Sequence, residues 1–246
     1  MFFTNDTNTK KLVVLNIALI LFSLFASRTN MMILWLVLIG ILSLYFLLKL
    51  KNQIRKSDII ISLILGIVTM ISHPLLAIFV CLAYLSAQVM MSNYPSKMVL
   101  YHSKKKYELY KTLFFIFIIG GLLACINLLL AMNSYSLHIS FQLNFLFDAL
   151  RAGIFEEVFF RMFLYALCLQ ITHNIHFNRI QTILSYLIMI LPHVLMHNYP
   201  MDIMSIIILS LIFGLPFAFM SRKINLLSAI GAHSFVDLIR FIGLGI

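Results

Sequence analysis

Charge is what this 246-residue sequence has least of: Asp, Glu, Lys and Arg together make up 11% of it, against 62% hydrophobic residues. A soluble domain carries about 25% charged residues, and the mean hydropathy here is +1.03. That excludes a water-soluble globular domain and leaves a polytopic membrane protein. Cysteine is scarce too. Cys81, Cys125 and Cys168 are odd in number, far apart and set within apolar runs, which excludes a disulfide framework or a cysteine metal site. The net charge of +10 does not point to nucleic acid, because Lys and Arg sit in short loops between apolar runs, where they orient a chain in the membrane. No segment of 20–50 residues repeats, and no stretch reads as a linker. No small-residue cleavage site follows the first apolar run, which therefore reads as a membrane span rather than a removed signal peptide.

The expected architecture is an all-α bundle of eight or nine membrane helices. Residues 1–11 read as a short mobile tail. Apolar runs cover about 12–27, 31–50, 57–92, 110–132, 181–197, 203–220 and 226–245. The run 57–92 is too long for one span of about 20 residues, and His73-Pro74 near its midpoint marks a turn. The segment 141–170 is long enough to begin at the interface, where Asp148 and Arg151 sit, and then dip inward. Basic loops alternate with non-basic ones, apart from Arg28. This places the N-terminus, 49–56, 97–111, 171–180 and 221–225 on the cytoplasmic side.

Against that apolar background, ionisable residues inside the spans stand out. The chain has only three glutamates, and two of them are adjacent, Glu156 and Glu157, with Arg161 close behind. A charge at the bilayer centre costs about 2.5–3.5 kcal/mol on insertion scales, so each needs a partner or a wet cavity. Glu157 and Arg161 are i,i+4 neighbours on one helix face and can pair. Glu156 lies about 100° round the helix and is left over. Two more sites answer it: His193 and His197 beside Pro192, and His233 with Asp237, each pair again at i,i+4. Each of these groups alone can be structural, since an intramembrane His can simply bond a carbonyl of a neighbouring helix. His73, His102, His138, His173 and His176 read as loop residues. The set of one spare Glu, three His and one Asp on the last spans suits water activation, by a general base or through a bound metal.

The arrangement Glu-Glu-x-x-x-Arg, then a His-bearing helix, then His-x-x-x-Asp resembles the CPBP family of intramembrane proteases, which includes CAAX prenyl proteases and bacteriocin-processing or immunity proteins. The resemblance covers about 150–245, so that 141–246 reads as a catalytic core and 1–140 as membrane helices with no motif match. Glu156-Glu157-x-x-x-Arg161 fits the first motif. In the second, Phe-x-x-x-His, His197 takes the His place while His193 stands where the family has Phe. Asp237 is an accepted variant of the third motif's Asn. The resemblance implies that Glu156 and His197 activate water, that His233 and Asp237 stabilise the oxyanion or help hold a metal, and that Glu157 and Arg161 support the helix.

The reading is therefore an intramembrane endopeptidase, metallo- or glutamate-type, in a bacterial cell membrane. Its substrate would be a hydrophobic or lipidated peptide or protein, with membrane lipid as the other partner and no nucleic acid. Glu156, His193, His197 and His233 offer four N/O ligands for Zn²⁺, and the extra His193 favours a metal. A non-catalytic bacteriocin-immunity or signalling partner is the alternative from another class. A proton-relay transporter is a third, weakened by the lack of matched broken helices in two halves.

Overall fold

A computed structural model describes the chain except residues 1–5, 30, 32, 96, 104, 133–134, 174–175, 198–201 and 246. The described residues form nine long helical stretches: α1 (Asp6–Arg28), α2 (Ile33–Lys49), α3 (Lys56–Ser72), α4 (Pro74–Met91), α5 (Glu108–Ala131), α6 (143–172), α7 (Arg179–Met196), α8 (Ile203–Ile224) and α9 (Leu226–Leu244). Six of them are long and apolar enough to cross a membrane, namely α1, α4, α5, α7, α8 and α9, and α2 is a shorter apolar helix.

Local chemistry accounts for several boundaries. Ser72 ends α3 and Pro74 opens α4, with the His73 ring accepting from the Leu76 amide; proline at the first helical position loses only an N–H that would be orphaned anyway. Asn178 and Gln181 form a reciprocal capping box at the start of α7. Asn225 caps α9 through the Ser228 amide. One expectation needs correction: helix begins at Asp6, inside what reads as a tail. Its first turns are held by Lys11, which donates to the Ile171 carbonyl at 3.2 Å, and by Thr9, which accepts from Gln181.

The central element is α6. Every residue over 152–169 is buried, Glu156, Glu157 and Arg161 included. The Trp35 indole of α2 meets the Phe160 ring of α6 edge-on at 5.2 Å between centroids. Large apolar side chains on α1, α2, α3, α5 and α8 face outward, as lipid contact requires. Close packing of α6 on α9 depends on Gly153, where a Cβ would come within 2.8 Å of the Ile230 carbonyl oxygen; small residues let membrane helices approach in this way.

The two ends of the bundle differ in charge. At one end, Leu226 and Leu227 donate to the carbonyls of Val99 and Leu100, and Asn225 donates to Glu108 and Thr112. Lys10, Lys11, Lys49, Lys51, Arg55, Lys56, Lys97, Lys105, Lys106, Lys111, Arg179, Arg222 and Lys223 all lie in or beside this end. At the other end, the amides of His138 and Ser140 donate to the carbonyls of Gly243 and Ile242, and Ser72 bonds Asp148. Among the described residues this end has no lysine, and its only arginines are Arg28, Arg151 and Arg240. In the link between α7 and α8, residues 198–201 lie outside the described residues.

Candidate active site

Glu156 closes the last α-helical turn of α6 before the backbone widens into a π-helical stretch, Glu157–Phe163. Such stretches concentrate at functional sites because they redirect side chains. The two glutamates leave the helix on different sides. Glu157 is fully buried: its Oε1 lies 3.6 Å from Arg161 Nε and accepts from His233 Nδ1 at 2.9 Å, and its Oε2 accepts from Ser221 Oγ at 3.0 Å. The pairing with Arg161 is thus present, and Glu157 has two further partners on α8 and α9.

Glu156 faces a cavity of about 240 Å³. Its Oε2 is hydrogen-bonded to His193 Nε2 and lies 3.5 Å from His197 Nε2 and 3.4 Å from His233 Nε2. Three imidazoles from two other helices therefore meet one carboxylate oxygen. His193 is held beside it within α7, where its ring also lies 5.3 Å from that of Phe160. His197 stands just past the end of α7, with extended backbone, rather than inside the helix; its Nε2 still reaches within 3.0 Å of His193 Nε2. On α9, His233 Nε2 lies 3.7 Å from Asp237. The Nδ1 bond to Glu157 orients the His233 ring and turns Nε2 toward Glu156, as an orienting carboxylate does for a working imidazole.

All the residues singled out in the sequence, Glu156, Glu157, Arg161, His193, His197, His233 and Asp237, lie in this one assembly. The candidate metal ligands do so unevenly. Ligand atoms of Glu156, His193 and His197 all lie within 4.8 Å of one another, while His233 is not a member of that set. A Glu-His-His set with an open fourth position suits zinc, which takes three protein ligands plus water in catalytic sites. Other members had no charge to advertise them. Phe217 stacks on the His233 ring at 4.6 Å with planes 2° apart, and Ser221 holds Glu157. Arg151, read as interfacial, lines the cavity together with Asn127 and Arg240.

This geometry can be set beside known proteins. Residues 138–239 match the family described as type II CAAX prenyl endopeptidase, Rce1-like. The resemblance read from the motifs is thereby shown, and the family is one of proteases. The Rce1-like segment runs from just before α6 to within α9 and holds every residue from Glu156 to Asp237. No curated protein and no solved structure matches the chain.

Proposed function

We propose that the chain is a multi-pass intramembrane endopeptidase that hydrolyses a peptide bond in a hydrophobic or lipidated peptide. The observation that carries this is the convergence of His193, His197 and His233 on Glu156 at the wall of a cavity. Glu156 takes a proton from water as the hydroxyl oxygen attacks the scissile carbonyl carbon, then passes it to the departing amine. Buried His193 bonds Glu156 and orients it. His197, whose side chain is 33% exposed, is better placed to meet the attacking water. As an imidazolium, His233, held by Glu157 and flanked by Asp237, donates Nε2–H to the oxygen that gains charge, where exclusion of bulk water strengthens the interaction. In the metal-dependent form of the reaction, Glu156, His193 and His197 would instead hold a zinc ion, which would supply Lewis acidity and a more acidic water in place of Glu156 as the base.

The cavity lies toward the lysine-free end of the bundle, since Asn127, Arg151, His197 and Arg240 all belong to that end. With lysine and arginine retained in the cytoplasm, the substrate enters from the extracytoplasmic side. The test of the activity is cleavage of a panel of acylated hydrophobic peptides by detergent-purified protein, with metal analysis and with and without chelator. Near-stoichiometric zinc and chelator-sensitive cleavage establish a metalloprotease. Cleavage surviving thorough chelation leaves Glu156 and the histidines acting alone. No cleavage by well-folded protein favours the non-catalytic partner. A reporter fused after α9 tests the side: alkaline phosphatase should be active there and a green fluorescent protein dark, and the reverse pattern inverts the orientation.

A further inference from the structure

One polar side chain reaches the cavity from α5. Between Thr112 and Ala131, Asn127 is the only residue with an amide, hydroxyl or charged side chain. It is half-buried and lines the cavity together with Glu156, and no hydrogen bond joins its amide to another described residue. Asparagines elsewhere in the bundle are used differently. Asn16 donates to the Leu184 carbonyl at 3.3 Å, and Asn225 to Glu108 at 2.8 Å and to Thr112 at 2.9 Å. Such helix-to-helix bonds are the ordinary work of a polar residue in a membrane span, and Asn127 makes none among the described residues. A polar group without a partner is costly there, so the cavity Asn127 faces has to supply one.

The depth of Asn127 follows from how α5 lies along α9. The two run side by side in the same direction. Phe117 meets Phe235 with ring centroids 5.5 Å apart, a Cβ on Gly120 would come within 3.1 Å of Ala232 Cα, and one on Gly243 within 2.9 Å of Leu128. Asn127 is therefore level with residues 239–242 of α9, roughly 9–13 Å along the helix beyond His233. An extended chain gains about 3.3–3.6 Å per residue, so a peptide with its scissile carbonyl beside Glu156 passes Asn127 about three or four residues away.

We infer that Asn127 is a substrate-binding residue that takes up the backbone N–H and C=O of an extended apolar peptide at that register. The inference rests on the peptidase reading for the peptide. A hydrophobic peptide has few polar groups besides its backbone, and once extended it has no internal partners for them. An Asn amide offers a carbonyl acceptor and an N–H donor, the same pair that a neighbouring strand would offer. The other polar residues described in the cavity lining are ionisable, which leaves Asn127 as its one neutral hydrogen-bonding side chain. Asn127 also precedes the Rce1-like segment, so this contact comes from the part of the chain outside the family match.

The experiment measures binding without turnover. Glu156→Gln protein in nanodiscs of neutral lipid is titrated with a fluorescent, N-acylated peptide of about ten apolar residues. Analogues replace one amide at a time by an ester, which has no N–H and a weaker acceptor. One ester, or two adjacent ones, should weaken binding by about 3–10-fold, the scale of one net hydrogen bond, and the others by less than about twofold. In the same background, Asn127→Leu should weaken binding of the parent peptide by a similar factor and abolish the penalty at the sensitive position, as a direct contact does in a double-mutant cycle. Asn127→Ala repeats the cycle, so that a filled cavity is not mistaken for a lost bond. Unchanged affinity of both variants for the sensitive ester shows that the fold is intact. Esters tolerated alike at every position, a penalty that persists in both variants, or no binding of the parent peptide overturns the inference. A position-specific penalty without cleavage by the Glu156-bearing protein would leave the binding residue and remove the peptidase reading; cleavage with no position-specific penalty would do the opposite.

Discussion

Glu156 and Glu157 are adjacent on α6 and share almost nothing else. Glu157 is sealed, with Arg161, Ser221 and His233 around its two oxygens. Glu156 has one oxygen crowded by three imidazoles and a cavity in front of it. Chemically identical groups are given separate tasks by surroundings alone, as when two carboxylates of one active site act in different roles. One glutamate is spent on holding His233 and Arg161, and this leaves the other free to meet water. The two are coupled through His233, whose Nδ1 belongs to Glu157 and whose Nε2 faces Glu156.

The sharpest way to break this comparison is to neutralise each glutamate in turn. Glu156→Gln keeps the shape and removes the base, so peptide cleavage should fall by about 10²-fold or more while the yield of monodisperse protein stays unchanged. Glu157→Gln should act the other way round, leaving Arg161 buried without its counter-charge. Breaking a buried pair from one side costs about 3–5 kcal/mol, so Glu157→Gln and Arg161→Ala should each lower the melting temperature and the recovered protein. Both effects are read by size-exclusion chromatography and a thermal shift beside the activity assay. If Glu157→Gln folds normally and only activity is lost, the division of labour is wrong.

The two histidines of α7 sharpen the comparison on the Glu156 side. If His193 and His197 hold zinc with Glu156, replacing either by Gln should lower bound metal and activity together, and occupancy should fall as pH drops because protons compete for the imidazole nitrogens. If His193 only orients Glu156, His193→Gln should leave metal content unchanged and lower cleavage about 10–100-fold, the usual scale for an orienting partner. Metal analysis across pH, run on both variants, separates these outcomes.

Much of this was legible in the sequence, and the gaps have physical causes. Ionisable residues cost too much in a bilayer to be there without reason, so Glu156, Glu157, Arg161, His193, His197, His233 and Asp237 could be picked out by contrast alone. The turn at His73-Pro74 was equally visible, because proline punctuates helices. What a one-dimensional pattern does not carry is contact between distant positions. Ser221 and Phe217 look like ordinary span residues until α8 packs against α6 and α9 and brings them to Glu157 and His233. Arg151 read as interfacial because nothing in its neighbours announces the cavity it lines. The π-helical stretch 157–163 has no residue signature at all. The helix beginning at Asp6 was hidden by the charge of Lys10 and Lys11, which read as a tail.

The smallest effect expected is also the one most specific to the sealed side. Phe217 lies flat on the His233 ring, buried within α8, and contributes no hydrogen bond to it. Its work is to hold the ring in the plane from which Nδ1 reaches Glu157 and Nε2 faces Glu156. An aromatic pair of this kind is worth about 0.5–1.5 kcal/mol beyond area burial. Phe217→Leu keeps an apolar side chain of similar reach and removes only the stack. If His233 serves the reaction as proposed, cleavage should fall by a few-fold, within the roughly tenfold that about 1.4 kcal/mol allows. The loss should lie in kcat rather than KM, with melting temperature little changed, and Phe217→Tyr should retain most of the activity because the ring stays. An equal loss in Leu and Tyr variants would show that fit in the α8–α9 contact matters and the stack does not. No loss in either would remove His233 orientation from the rate, and leave Glu157 as a purely structural glutamate beside the working one.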